Sequence, residues 1–179
     1  MKVFIVAGKS GSGKMELSKF ISEYYIYKLQ KNVVTSYSKY IRSFAMELTD
    51  WDGDSLNKPR EFLQNFGMKI REFDADFFNR RMIEDIEIYK LDGIQNVIIS
   101  DARMPDEIDR IKDNYDDVYS FYIENQFAKS NLTAEQLSHI TETALEGYEN
   151  FDYVIANEDL NTLKDKVFKI LDGIEGNGQ

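Results

Sequence analysis

Residues 8–14 read Gly-Lys-Ser-Gly-Ser-Gly-Lys and follow the apolar run Val3-Phe4-Ile5-Val6-Ala7. This is a G-x-x-x-x-G-K phosphate loop set where one must be, between a buried strand and an amphipathic helix. Glycines at 8, 11 and 13 keep side chains away, so that successive backbone N–H groups, with Ser10 and Ser12 among them, turn into one concavity. The helix N-terminus adds positive potential, and Lys14 reaches the outer phosphates. The hydroxyl that usually follows the lysine and holds Mg²⁺ is absent, because residue 15 is Met. The loop therefore predicts nucleotide binding by Gly8, Ser10, Gly11, Ser12, Gly13, Lys14 and Met15, and leaves catalysis to be argued from other residues. A Gly/Ser-rich turn opening an ordinary helix is the plainer alternative.

Three further groups of residues have chemistry to offer. Asp101 follows the apolar run Val97-Ile98-Ile99-Ser100, at the sheet edge where α/β proteins build their sites. A carboxylate there can bind Mg²⁺ directly or through water, or else cap the turn and helix that follow. Arg103 points toward the same cleft, where it can hold a phosphate bidentately; an ion pair with Asp106 or Glu107 is the alternative. Residues 58–81 carry Lys58, Arg60, Lys69, Arg71, Arg80 and Arg81 interleaved with aromatics, which suits a pocket for a phosphate and a planar base. Gln64, one turn beyond Arg60, is placed to read a base edge, and Trp51 is either a stacking platform or core packing.

Other chemistries fail on composition or spacing. There is no cysteine and only one histidine, His139, so no transition-metal site of ordinary composition is expected. Asp50, Asp52, Asp54 and Glu61 mimic a calcium loop, but Ser55 stands where its glycine is needed and Pro59 breaks the frame. No Ser-His-Asp pattern stands out. Phosphoryl transfer needs none, because it rests on positioning and charge neutralisation.

The elements that must position these residues alternate. Strands are predicted at 3–7, 33–38, 97–100, 118–123 and 153–156. Helices are predicted after Lys14, at 40–48, from Pro59, over 74–90, from Pro105, from a Thr133/Gln136 capping box to near Gly147, and from Leu160. That order implies a five-stranded parallel sheet covered on both faces, an α/β/α three-layer fold. A chain of 179 residues fits one domain over 1–173, with a helical region at about 40–92, a lid at about 124–132 and a flexible tail at 174–179.

The formal charge is −10, unevenly spread: residues 1–81 hold 14 Lys and Arg against 10 Asp and Glu, and residues 82–179 hold 8 against 22. An anionic ligand is drawn to the first half, while an extended nucleic-acid surface is disfavoured. No apolar run approaches the roughly 20 residues of a membrane span. A soluble, cytoplasmic protein is expected, as monomer or homodimer.

The phosphate loop, Lys58-Pro59-Arg60-Glu61-Phe62-Leu63-Gln64-Asn65-Phe66-Gly67, Ser100-Asp101-Ala102-Arg103-Met104-Pro105-Asp106-Glu107 and His139-Ile140-Thr141-Glu142 occur in that order. In these segments the chain resembles the deoxynucleoside monophosphate kinase family of phages and bacteria, over nearly its whole length. It is also similar to animal-type phosphomevalonate kinase. The resemblance implies a P-loop kinase core with ATP and Mg²⁺ as cofactors and a small monophosphate nucleotide as acceptor. It implies Lys14, Asp101 and Arg103 as catalytic residues, with Asp101 at the metal. Arg42, Arg60, Gln64, Arg80, Arg103, His139 and Glu142 would serve the substrate, and Lys129 would be the lid's cation. The departures are Met15, Thr141 where Ser is usual, and a lid poor in arginine. A phosphotransferase with a non-nucleotide acceptor, or a P-loop protein that binds nucleotide without turnover, are the other readings.

Overall fold

The computed structural model describes residues 1–54, 57–125 and 132–176. Its centre is β1 (Lys2–Ala7), where Val3 through Ala7 are all fully buried. After it come α1 (Lys14–Tyr27), β2 (Asn32–Thr35), α2 (Lys39–Leu48), α3 (Arg60–Phe73), α4 (Phe77–Leu91) and β3 (Asn96–Ala102). The rest of the chain forms α5 (Pro105–Asn114), β4 (Val118–Glu124), α6 (Ala134–Ser138), α7 (Ile140–Thr143), β5 (Tyr153–Ala156) and α8 (Leu160–Gly176). The five strands form one parallel sheet in the order β2-β3-β1-β4-β5.

Alternation along the strands divides the core in two, since successive side chains in a strand face opposite ways. Val3, Ile5 and Ala7 of β1, with Val97 and Ile99 of β3, pack under α2–α5 against Ile41, Leu63, Phe78, Met82 and Ile108. Phe4, Val6 and Ile98 face the other way, onto Leu17, Ile21 and Tyr25 of α1 and Leu163, Val167 and Leu171 of α8. This is the expected three-layer α/β/α arrangement.

Two features of the sheet set up its C-terminal edge. β1 lies between β3 and β4, so the chain leaves it toward one half of the sheet and later returns to the other, and a crevice opens beside its end. The β1–β3 register also slips: Ile5 pairs with Ile99, but Ala7 pairs with Ala102. The extra residue falls in the Ser100–Asp101 stretch, and such bulges re-aim a side chain near a site.

The helix expected from Thr133 to near Gly147 is two short ones. The Thr133/Gln136 capping box is present, but His139 is extended (φ −63°, ψ 144°) and its side chain accepts from Thr141 N–H to start α7. The imidazole of His139 thus caps a second helix instead of continuing the first. The last helix reaches further than the tail expected from residue 174: Ile174 is buried, and Glu175 accepts from Lys2 Nζ (2.8 Å) and the Tyr25 hydroxyl (3.0 Å). Among the described residues no helix is long and apolar enough to cross a membrane.

Candidate functional site

The phosphate loop spans the gap between β1 and α1, and its glycines are there for conformation and for space. Gly8 and Gly13 have φ of 145° and 106°, the region that side chains disfavour. A Cβ on Gly8 would sit 2.5 Å from the Ile123 carbonyl oxygen, and one on Gly13 would sit 2.5 Å from Asn157 Nδ2. Asn157, just past β5, donates from Nδ2 to the Ser12 carbonyl (2.9 Å) and from its backbone to Glu124 O (2.7 Å). The loop is thereby pinned to the far half of the sheet.

Lys14 folds back over the loop, its Nζ donating to the carbonyls of Gly8 (2.7 Å) and Lys9 (2.8 Å). Burial, reinforced by the charges of Arg103 and Lys58 and opposed by Glu142 and Asp101, pulls its pKa down to about 7. An anion seated in the loop would reverse that, because opposite charge restores the ammonium. Met15 is 61% exposed at the mouth of the same cavity.

Asp101 stands across from the loop. Its Oδ1 accepts Tyr37 N–H (2.7 Å) and its Oδ2 accepts Ser38 N–H (3.1 Å), which ties the end of β3 to the start of α2. The expected cap is therefore real, but it serves the turn after β2 and not the helix after β3. Each oxygen retains a second lone pair, so capping and a metal role are compatible. Mg²⁺ fits this donor set: it takes few protein ligands, keeps waters, and relies on phosphate oxygens. Asp101, on the cavity wall, could orient such waters, while Met15 offers only a thioether. Among the described residues there is no group of three or more His, Asp and Glu side chains that would cage an ion unaided.

Arg103 pairs with Glu142, and Nη1 also donates to the Thr141 carbonyl (3.2 Å). Its backbone N–H, not its guanidinium, is what Glu107 takes (2.7 Å). Glu107 is 2% exposed and accepts from Arg71 Nη2 (2.5 Å) and Met104 N–H (3.2 Å). Burial pushes its carboxyl up to about 7, against the pull of Arg71 and the Arg103 N–H. Arg71 in turn lies over the Phe78 ring, 4.3 Å from its centroid.

These groups line one cavity of about 570 Å³, within the usual range for small-molecule sites. Lys14, Asp101, Arg103 and Glu142 belong to its wall on the loop side. Arg42, Lys58, Arg60 and Gln64 line it from α2 and the start of α3, and Tyr37, Ile41, Trp51, Leu63 and Phe78 supply an apolar, largely aromatic wall. Among the described residues Arg42, Lys58 and Arg60 form no ion pair, whereas Arg71 and Arg103 each hold a carboxylate. Lys58 is pulled down to about 8 by burial and by Arg42, Arg60 and Arg103, with Asp101 opposing. Gln64 reaches the Gln136 carbonyl (3.4 Å), linking α3 to α6.

Two expected substrate residues lie elsewhere. Arg80 does not line the cavity; α4 turns Phe78, Asn79, Met82 and Ile86 inward, and Arg80 points out to pair with Asp74 (2.7 Å). His139 does not line it either, because its ring caps α7. Lys129 and most of the expected lid lie outside the described residues. Glu107 and Asn157 were the residues whose parts sequence reasoning missed. Glu107 shares the inner stripe of α5 with Ile108 and Ile111, and an acidic residue in an apolar stripe is a readable signal of a buried partner. Asn157 had only its place after β5.

No family model matches the sequence, and no curated protein matches it. Among solved structures, a sugar kinase from Janibacter sp. HTCC2649 is similar over 96% of this chain and 95% of that one, at 16% identity and a TM-score of 0.58. Shikimate kinase from Aquifex aeolicus is similar over 99% of this chain and 98% of that one, at 12% identity and a TM-score of 0.51. At such identities the likeness is one of fold, and the chain has the three-layer α/β/α fold of these kinases.

Proposed function

We propose that the chain is an ATP-dependent phosphotransferase that converts a (deoxy)nucleoside monophosphate to its diphosphate, as a P-loop kinase related to the deoxynucleoside monophosphate kinases. The observation that carries this reading is a set of three cations, Arg42, Lys58 and Arg60, which form no ion pair among the described residues and line the same cavity as the phosphate loop. Lys58 and Arg60 are half-buried and Arg42 is exposed, and like charges that share one cavity repel one another; a dianionic acceptor phosphate relieves that repulsion. The aromatic wall of Tyr37, Trp51 and Phe78 favours a planar base as the rest of the acceptor.

In this reading the loop N–H groups and Lys14 hold the donor phosphates, and Arg42, Lys58 and Arg60 hold the acceptor phosphate facing them. An acceptor phosphate oxygen bonds to the γ-phosphorus as the bond to the β–γ bridging oxygen breaks, so that ADP leaves with that oxygen. Arg103 and Lys14 meet the charge that spreads over the transferred group. Bound Mg²⁺ would neutralise β- and γ-phosphate oxygens, with Asp101 orienting its waters. No covalent enzyme intermediate is required.

The chain through the end of α8 then acts as one kinase domain whose acceptor region is about 40–92, and a cytoplasmic setting supplies both nucleotides. A coupled ADP-release screen with Mg·ATP tests the reading. The panel should hold the common ribo- and deoxyribonucleoside monophosphates with phosphomevalonate, shikimate and simple sugars. Turnover above background with a nucleoside monophosphate supports it, and turnover only with a non-nucleotide acceptor replaces it.

A further inference from the structure

Both oxygens of the Glu142 carboxylate are committed to groups that suit a phosphate. Oε2 accepts the N–H of Ser10, inside the phosphate loop, at 2.9 Å, and Oε1 is paired with the Arg103 guanidinium. The side chain is only 6% exposed. A loop N–H together with an arginine is the donor set that an outer phosphate recruits. A carboxylate and a phosphate cannot share it, because the two anions repel at short range in a site with little water.

We propose that Glu142 is an internal competitor for the outer phosphate of the nucleotide: Ser10 N–H and Arg103 pass from its carboxylate to that phosphate on binding, and the exchange sets how strongly a triphosphate is held relative to a diphosphate. The inference rests on reading the loop as a nucleotide site. The segment that carries Glu142 is short and lightly tied to the phosphate loop. α7 has only four residues, of which the Glu142 side chain is the one deeply covered, and its neighbouring tie, Lys9–Glu146 (2.6 Å), joins two exposed side chains, a kind of pair that holds little. Exchange of Arg103 onto phosphate would free α7 at the mouth of the cavity, which couples donor binding to access for the acceptor.

Titration calorimetry with ATP and with ADP, each with Mg²⁺, on the wild type, Glu142→Gln, Glu142→Asp and Glu146→Gln tests this. Glu142→Gln keeps the length and an acceptor for Ser10 but loses the charge; Glu142→Asp keeps the charge but cannot reach both donors. The proposal expects both to bind ATP about tenfold more tightly, with the ADP constant changing less than about threefold. Glu146→Gln removes a like charge from the same segment and should leave both constants within about twofold. Unchanged or weaker ATP binding in Glu142→Gln overturns the exchange, and so does an equal gain for ATP and ADP or the same gain in Glu146→Gln. If Glu142→Gln does not fold, Glu142→Asp decides by the same criterion. A wild type that binds no ATP removes the functional reading itself, which is a different result.

Discussion

Arg71 of α3 and Glu107 of α5 meet at 2.5 Å in the wall of the cavity, with the carboxylate almost wholly buried. The pair fastens the acceptor helix to the segment that carries Arg103, since the same carboxylate takes the Arg103 and Met104 N–H groups. Removing one member strands a buried charge. Glu107→Ala should lose about 3–5 kcal/mol of stability, read by urea denaturation. Glu107→Gln, which still accepts, should lose clearly less. Equal losses would mean that the charge, which both variants remove, decides at this position, and that the volume and acceptor oxygen kept by Gln do not.

The lowered lysines predict a pH dependence of known sign. Lys14 and Lys58 titrate near 7 and 8 in the folded chain against 10.5 for an unperturbed lysine. Above those values the unfolded chain binds more protons, so their cost to stability shrinks as pH rises from about 7 toward 10. Lys58→Met should therefore stabilise the protein at pH 7 by on the order of 1–3 kcal/mol, and the gain should fade by pH 9.5. ATP binding runs the other way. It needs the Lys14 ammonium, so at pH 8 it should take up protons, and affinity should fall as pH rises above about 7. Calorimetry in buffers of different ionisation enthalpy checks the sign; proton release would overturn the assignment of Lys14.

Gly13 offers a test of loop geometry that leaves all charges in place. Gly13→Ala forces a Cβ into Asn157 Nδ2 at a φ of 106°. The expected outcome is loss of most of the ATP-induced rise in melting temperature, which depends on preferential binding to the folded state. A full ATP shift in this variant would show that the loop backbone does not carry the affinity.

The acceptor cations should divide cleanly from the donor site. Arg60→Ala and Arg42→Ala should each lower kcat/KM for the monophosphate by roughly 10- to 150-fold, the equivalent of a lost charge-assisted hydrogen bond of about 1.5–3 kcal/mol. Their ATP dissociation constants should stay near that of the wild type. Weakened ATP binding with unchanged monophosphate kinetics would place these arginines on the donor side.

Much of this architecture could be read from residue order. β5 falls at its expected residues, Tyr153–Ala156, because a short apolar strand bounded by polar residues has few alternatives. β2 stops at Thr35, short of Ser38, because Asp101 captures the Tyr37 and Ser38 N–H groups and turns the chain. That carboxylate is more than 60 residues away, and local propensity contains no trace of it. The break at His139 is similar: residue types permit a helix through it, and the imidazole's bond to Thr141 N–H decides otherwise. Within the site, the loop was legible because its chemistry requires consecutive residues. Arg80 was misplaced because composition does not tell which face of α4 is buried, although the Phe78/Met82/Ile86 spacing does. Lys58 stood out only once its neighbours were seen to be cations.

Transfer of the γ-phosphoryl group to a monophosphate is followed by tracing that group itself. Wild type, Lys14→Ala and Asp101→Asn are incubated with γ-labelled ATP, Mg²⁺ and each monophosphate in turn, and the products are separated. A labelled diphosphate is expected from at least one nucleoside monophosphate. It should be lost without Mg²⁺, lost in Lys14→Ala, and suppressed in Asp101→Asn far more than ATP binding is. Tight ATP binding by the folded wild type with no labelled product from any nucleoside monophosphate would contradict the proposed transfer and leave a nucleotide-binding protein that is not a nucleoside monophosphate kinase.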